Sequence, residues 1–421
     1  MTKPKVISLF SGAGGLDYGF EAAGFETAVA LEMDHACCET LRENRPSWTV
    51  METDILKVRG KDVLKAAGLK IGEADVLIGG PPCQPFSKAG YWARGDALRL
   101  SDPRAATLAA YLRMLEETKP RALLLENVEG LAYRGKDEGL RLILDEIEAI
   151  NGRIGTKYRP VFQVVNAASY GVPQLRKRLI IVGARDGKVF NVPSPTHRVS
   201  VTESDPADLH LAPPHTAWDA LGDLVLDPEE DVAATGHWAD LLPSIPEGSN
   251  YLWHTDRGGG VPLFGWRRRY WSFLLKLAKN LPSWTVQAQP GPAIGPFHWD
   301  NRRLSMRELC RIQTFPDDVV VRGSRHVVQK QIGNAVPSLL AEVFARAIGA
   351  QLLGMRSSEK PLLMPPRREP SEASRPTRRI PAKYKVLVGN DSAHPGPGQG
   401  RGALEARGAR QAARLEDLPM V

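Results

Sequence analysis

Cysteine is scarce in this chain, with four in 421 residues. Cys37, Cys38, Cys83 and Cys310 form no C-x-x-C pair, so a disulfide framework is not expected at this size. The nine histidines do not fall at ligand spacing with them, so a bound metal is not expected either. Long apolar runs are missing: nothing approaches the roughly 20 residues that span a bilayer, and no membrane partner is expected. The N-terminal Met1–Ser8 enters a strand-like segment with no apolar signal region or cleavage site, which predicts a cytoplasmic protein. Net positive charge is nearly absent from the body of the chain. From Arg356 onward there are 13 Lys/Arg against 7 Asp/Glu, so six of the seven net charges sit in the tail. Any anion-binding face on the rest must be a local patch balanced by acids elsewhere.

A length of 421 residues and 43% hydrophobic content suit two soluble domains plus appendages. Strand-like segments at 5–10, 27–32, 76–78 and 122–126 alternate with helical patterns at 18–23, 36–44, 102–118 and 139–150. A later strand pair is expected at 159–165 and 178–182. This alternation predicts an α/β fold with a doubly wound, largely parallel sheet. Residues 186–324 begin rich in Pro, Gly, Trp and His, and predict a smaller, irregular second domain. A helix over 338–353 is apolar enough to pack back on the sheet. The expected domains are 1–185 plus 325–355, then 186–324, then a disordered basic tail over 356–421.

Chemistry-bearing residues cluster at strand ends. Phe10-Ser11-Gly12-Ala13-Gly14-Gly15 follows the first strand, where glycines allow close approach of a ligand. Position 17 is Asp, so the spacing is not that of a pyrophosphate-binding G-x-G-x-x-G loop. Glu32 ends the second strand and Asp54 the third segment; acids there suit ribose hydroxyls and an adenine amino group. Together these three ends predict an adenosine-bearing ligand. Cys83 is held behind a Pro81-Pro82 lead-in that leaves the backbone little freedom. Glu126 ends the strand Ala122–Glu126, where burial favours its protonated form. A thiol and a carboxyl on neighbouring strand ends predict covalent catalysis assisted by proton transfer. Alternation puts Gln174, Arg176 and Arg178 on one strand face. Gln331–Pro337 reads as a turn before the last helix. Cys37, Cys38 and Cys310 read as small packing residues.

The ordered set of these segments resembles the DNA cytosine-C5 methyltransferase family of prokaryotic restriction-modification type. The resemblance rests on Phe10–Gly15, Pro82-Cys83-Gln84, Glu126-Asn127-Val128, Asn166–Pro173, Gln174–Arg178, Arg303–Asp317 and Gly333-Asn334-Ala335-Val336. It covers roughly residues 5–185 and 300–350. It implies a Rossmann-like sheet that uses S-adenosylmethionine, with Cys83 as nucleophile on cytosine C6 and Glu126 as the acid at N3. Arg178 would contact the base and orient Glu126, and Arg176 would support the same pocket. Phe10, Gly12, Gly14, Glu32, Met33, Asp54, Leu108, Asn334 and Val336 would line the cofactor site. Residues of the second domain would recognise duplex DNA. Gln84, Ser87, Arg267, Arg268 and Arg269 would contact it, although Gly265–Trp271 reads equally well as a solvated basic helix. Thr285–Gln289 lies where the family reads bases. The resemblance also implies a monomer that everts its target base, associates with the nucleoid through DNA, and has a cognate restriction endonuclease. A tRNA cytosine-C5 methyltransferase of the same fold and a non-catalytic DNA-binding regulator are the competing readings. Intact Cys83, Glu126 and Arg178 argue against the regulator.

Overall fold

The computed structural model describes residues 2–82, 105–133, 137–200, 210–266, 270–356, 360–369 and 373–388. Strand β1 (Lys5–Leu9) sends Ile7 and Leu9 into one core and Val6 into another, as period-two geometry requires. Helix α1 (Gly15–Ala22) follows, then β2 (Glu26–Glu32), α2 (His35–Asn44), β3 (Thr49–Glu52), α3 (Gly60–Ala67) and β4 (Val76–Gly79). Next come α4 (Ala105–Thr118), β5 (Ala122–Val128), α5 (Glu138–Ile154), β6 (Val161–Asn166), β7 (Gln174–Leu175) and β8 (Lys177–Ala184). Seven strands form one sheet in the order β3-β2-β1-β4-β5-β8-β6. The first five are mutually parallel, whereas β8 runs antiparallel to both β5 and β6. The expected α/β sheet is therefore present, with one reversed strand. Winding changes direction between β1 and β4, and α/β sheets bind ligands outside the carboxyl ends at such a point.

The later elements are α6 (Ala217–Leu221), β9 (Ser283–Trp284), α7 (Met306–Ile312), α8 (Arg325–Asn334) and α9 (Ser338–Leu352). Residues 186–324, expected as one unit, divide between two cores. Leu241, Tyr251, Phe264, Phe273 and Phe297 form a cluster of their own. Leu221, Leu304, Leu309 and Phe315 instead pack with Ala13, Tyr18, Leu41 and Trp48 from the N-terminal half. Helix α9 packs on α1, with Leu339, Phe344 and Ile348 in one core with Leu16 and Phe20 of that helix and with Val6, Val76 and Ile78 of the sheet.

Three features depart from expectation. Helix α3 has no counterpart in the sequence reading; its glycine start, Gly60, is where α4 approaches, and a Cβ there would lie 2.5 Å from the Glu117 Cβ. Gln331–Asn334 is helical, so the turn is confined to Ala335–Pro337. Gly333 serves packing rather than chain reversal: a Cβ on it would lie 2.3 Å from the Ala288 backbone nitrogen and 2.5 Å from the Gln287 carbonyl carbon. The third departure is the tail. Residues 360–369 and 373–388 form a strap on the fold instead of being disordered. The Leu362 and Leu363 N–H groups donate to the buried Glu342 carboxylate at 2.6 and 2.9 Å. Arg367 donates to Asp219 at 3.1 Å, and the Trp218 indole to the Glu369 carbonyl at 2.8 Å. Tyr384, 1% exposed, stacks on Trp238 with ring centroids 5.3 Å apart and donates to the His237 carbonyl at 2.5 Å. Hydrogen bonds, the Tyr384 ring and the packing of Leu363, Met364, Ile380 and Leu387 on two cores hold this strap.

Two substitutions test these contacts by urea unfolding. Tyr384→Ala is expected to cost about 2–4 kcal/mol, the order found for truncating a buried aromatic ring, and to open residues 373–388 to protease. Gly333→Ala adds up to ~1 kcal/mol of helix propensity. The displaced 287–288 backbone outweighs that gain, for a net loss of about 1–3 kcal/mol.

Candidate active site

The site is built along the carboxyl edge of the sheet. After β1 the chain turns through Phe10 (φ 55°), Gly12 (φ 54°) and Gly14 (φ 87°). Left-handed backbone favours glycine at positions 12 and 14, and a bulky residue at position 10 stores strain. A Cβ on Gly12 would meet nothing within 4 Å, so open space lies over the turn. A Cβ on Gly15 would lie 2.3 Å from the Val336 carbonyl oxygen, so the turn presses directly on the α8–α9 junction. Glu32, at the end of β2, accepts from the Gly12 N–H with one oxygen and from the Met33 and Asp34 N–H groups with the other, each at 2.8 Å. Three backbone donors thus fix its orientation.

This edge fits an adenosine. Gly12 leaves room, Glu32 offers an acceptor, and Met33 exposes 69% of its surface beside it. Phe10 and Leu108 are partly buried on the adjoining core. Of the roughly four acceptor sites on the Glu32 carboxylate, three are taken by the backbone. That leaves room for one ribose hydroxyl rather than the two expected. Asp54 uses one oxygen to cap the 3-10 turn Ile55–Lys57, accepting from the Leu56 N–H at 3.0 Å. Asn334 is exposed at the end of α8, whereas the Val336 side chain lies in the core and only its backbone faces the turn.

The acid lies one strand beyond β4. Glu126 of β5 is 8% exposed, and its Oε1 receives the Arg178 Nε at 2.6 Å. Gly80 permits this burial, because a Cβ there would lie 2.9 Å from the Glu126 Oε2. Burial pushes the Glu126 carboxyl above its ordinary range, against the pull of the Arg178 and Arg176 charges. The neighbouring Asn127 amide donates to the Pro81 carbonyl at 3.3 Å, and the Thr107 hydroxyl to the Pro82 carbonyl at 3.3 Å. The chain leading to Cys83 is therefore pinned on both sides, next to the acid. Cys83, Gln84, Ser87, Arg267, Arg268 and Arg269 lie outside the described residues. The remaining cysteines, Cys37, Cys38 and Cys310, are buried, and burial raises the Cys310 thiol to about 12.

Gln174, Arg176 and Arg178 reach different ends of the site. Only Arg178 pairs with Glu126. Arg176, 1% exposed, donates to the carbonyls of Val286 at 3.2 Å, Gly333 at 2.8 Å and Ala335 at 3.0 Å. Its hydrogen bonds thus make it a positioning residue between β8, the α8 end and the 283–289 segment. Gln174 accepts from the Val286 N–H at 3.0 Å and donates to Gln313 at 2.9 Å. Gln329 donates to the Gln287 carbonyl at 2.6 Å and Thr285 to the Leu175 carbonyl at 2.6 Å. Sequence reasoning missed these four stitches; a glycine inside the α8 helical pattern was the signal available.

Comparison with known proteins agrees with this geometry. Residues 4–350 match the family model described as C-5 cytosine-specific DNA methylase. The Type II methyltransferase M.SacI of Streptomyces achromogenes is 43% identical over 370 residues, covering 82% of this chain and 93% of its own. The Type II methyltransferase M1.HphI of Haemophilus parahaemolyticus is 34% identical over 344 residues, covering 81% and 86%. A solved prophage-encoded protein of E. coli shares the fold with a TM-score of 0.60 at 22% identity, covering 84% of this chain and all of that one. A DNMT2 variant of Spodoptera frugiperda does so with a TM-score of 0.57 at 15% identity, covering 82% and 99%. With its sheet, its buried strand-end acid and a family match spanning most of its length, this chain belongs to the C-5 cytosine-specific DNA methylases.

Proposed function

We propose that the chain methylates C5 of a cytosine everted from duplex DNA at a specific sequence, with Cys83 as nucleophile, Glu126 as acid and S-adenosylmethionine as donor. The observation that carries this reading is the dry Glu126 carboxyl, fixed by Arg178 beside the pinned Pro81-Pro82 lead into Cys83. A base inside a duplex is out of reach of such an acid, so the nucleotide must leave the stack.

The chemistry follows from the side chains. Cytosine C5 is a poor nucleophile until a bond forms at C6. The Cys83 thiolate supplies that bond, while Glu126 gives its proton to N3, so that C6 becomes electrophilic and the electron pair of the C5–C6 double bond becomes available at C5. Arg178 stays on the Glu126 oxygen and holds the departing-proton geometry. S-adenosylmethionine, when bound, supplies the methyl group to C5. Transfer of the C5 proton to water, expulsion of the Cys83 thiolate and return of the N3 proton to the Glu126 carboxylate restore the neutral aromatic ring and the starting enzyme. Glu32 would orient the ribose, and Phe10, Met33 and Leu108 would cover the apolar parts of the nucleoside. Gly12 and Gly14 shape the turn over it, Asp54 and Asn334 border it, and Val336 supports it from the core. Arg176 holds the recognition segment to this edge. The Type II relatives support pairing with a restriction endonuclease, and the 43% identity to M.SacI favours DNA over tRNA as substrate.

Sequencing methylated cytosines in plasmid from an expressing host identifies the target site. Duplex carrying 5-fluorocytosine at that site is then expected to form a denaturation-resistant adduct, absent in Cys83→Ala. An adduct that survives in that variant would remove Cys83 from the mechanism. Glu126→Gln is expected to slow single-turnover methyl transfer by about 10²–10⁴-fold. Because burial raises this pKa, the acid stays protonated to higher pH than an ordinary carboxyl, and activity falls only as pH rises through that raised value. That alkaline limb is expected to vanish in Glu126→Gln; a limb that persists would belong to another group.

A further inference from the structure

Two tryptophans stand uncovered beside the site. Trp271 and Trp284 expose 37% and 39% of their surfaces, and their ring centroids lie 4.7 Å apart at 58°. Trp284 belongs to β9, in parallel register with Leu175 of β7. Alternation separates the two faces of this pair. Gln174 and Ser283 are fully buried, so Leu175 and Trp284 face outward. Lys177, two residues on from Leu175, has a side chain 60% exposed and lies 3.9 Å from Glu129. One residue further, Arg178 pairs with Glu126.

The mounting is rigid. The Thr285 hydroxyl is fastened to the Leu175 carbonyl at 2.6 Å, and the Trp271 carbonyl accepts from the Asn250 amide at 2.5 Å. Strand rise and strand spacing set Trp284 on the order of 10 Å from Arg178. That is about three base-pair steps of a duplex. Apolar rings exposed singly need no explanation, but a paired and anchored set continuous with a catalytic edge does. Aromatic faces that tolerate any sequence are what a protein needs where it meets unstacked bases.

We propose that Trp284 and Trp271 form a stacking surface for bases of duplex DNA within about three base-pair steps of the everted cytosine, and so stabilise the opened duplex. The inference rests on the methylation reading for its substrate. Continuity with the catalytic edge favours DNA as the occupant, since Trp284 lies on the strand pair that leads into Arg178 and the exposed Lys177 shares its outward face. A second copy of the chain is the rival occupant.

The test uses the full chain, the mapped target duplex, and a duplex mispaired at the target cytosine. Trp284→Ala and Trp271→Ala are expected to slow single-turnover methylation of the paired duplex by about 10- to 100-fold, the order of one lost base–aromatic stack. Binding of S-adenosylmethionine, by calorimetry, and thermal melting are expected to stay unchanged. Trp284→Phe is expected to recover most of the rate. The deficit is expected to shrink on the mispaired duplex, where eversion is easier. Duplex binding is also expected to quench tryptophan fluorescence in the parent chain and less so in the alanine variants. Equal deficits on both duplexes, or none, would overturn the inference. So would a dimer seen by sedimentation in the parent chain and lost in the variants, which would assign the surface to self-association. Quenching without methylation would keep the stacking surface and sink the reaction instead; methylation with unaltered variants would do the reverse.

Discussion

A single buried cation governs how this molecule is put together. The Arg176 guanidinium is removed from water, and burial pulls its pKa well below the ordinary arginine value. Its hydrogen bonds go to the carbonyls of Val286, Gly333 and Ala335, and its Nε has no partner. A charge in such a place is tolerated only while its acceptors stay, because an unpaired buried ion costs several kcal/mol. Three segments far apart in sequence must therefore arrive together. Gly333 answers the same demand from the other side, since a side chain there would push the 287–288 backbone away. The carboxyl edge of the sheet and the 283–289 segment are thus one mechanical unit.

Two glutamates on the carboxyl edge of one sheet, Glu32 on β2 and Glu126 on β5, sit in opposite environments with β1 and β4 between them. Glu32 is surrounded by three N–H donors that suit an acceptor. Glu126 lies among apolar strand residues and a glycine, paired with Arg178, and desolvation outweighs the pull of Arg178 and Arg176. One carboxylate is thus saturated with backbone donors, while the other is held in an apolar setting that favours its neutral form.

Much of this was readable in the chain beforehand, for definite reasons. The strand–turn–helix at 5–22 announces itself because apolar alternation ends at glycines, and the Pro81-Pro82 lead-in because proline restricts its own backbone. The inward face shared by Gln174, Arg176 and Arg178 follows from strand periodicity. Which of the three would meet Glu126 does not, because it depends on where the 283–289 segment arrives. The reversed direction of β8 is equally hidden, since periodicity carries no polarity. Gly333 misled because glycine at a helix end and glycine under a neighbouring backbone look alike in one dimension. The strap misled for the opposite reason: a few scattered apolar residues dock on cores built elsewhere, and polar groups dock on the buried Glu342 and Asp219, none of which composition can register.

That strap has a bearing on how such enzymes acquire new targets. After α9 the chain touches Glu342 on the sheet side, then Asp219, and finally inserts Tyr384 beside Trp238. It therefore sews both halves together with thread drawn from beyond the portion matched by the family model. A chimera made by transplanting only the interior recognition region of a relative would inherit a foreign socket for this thread. In this chain the region between β8 and α7 and the C-terminal strap therefore form a matched pair rather than separable cassettes.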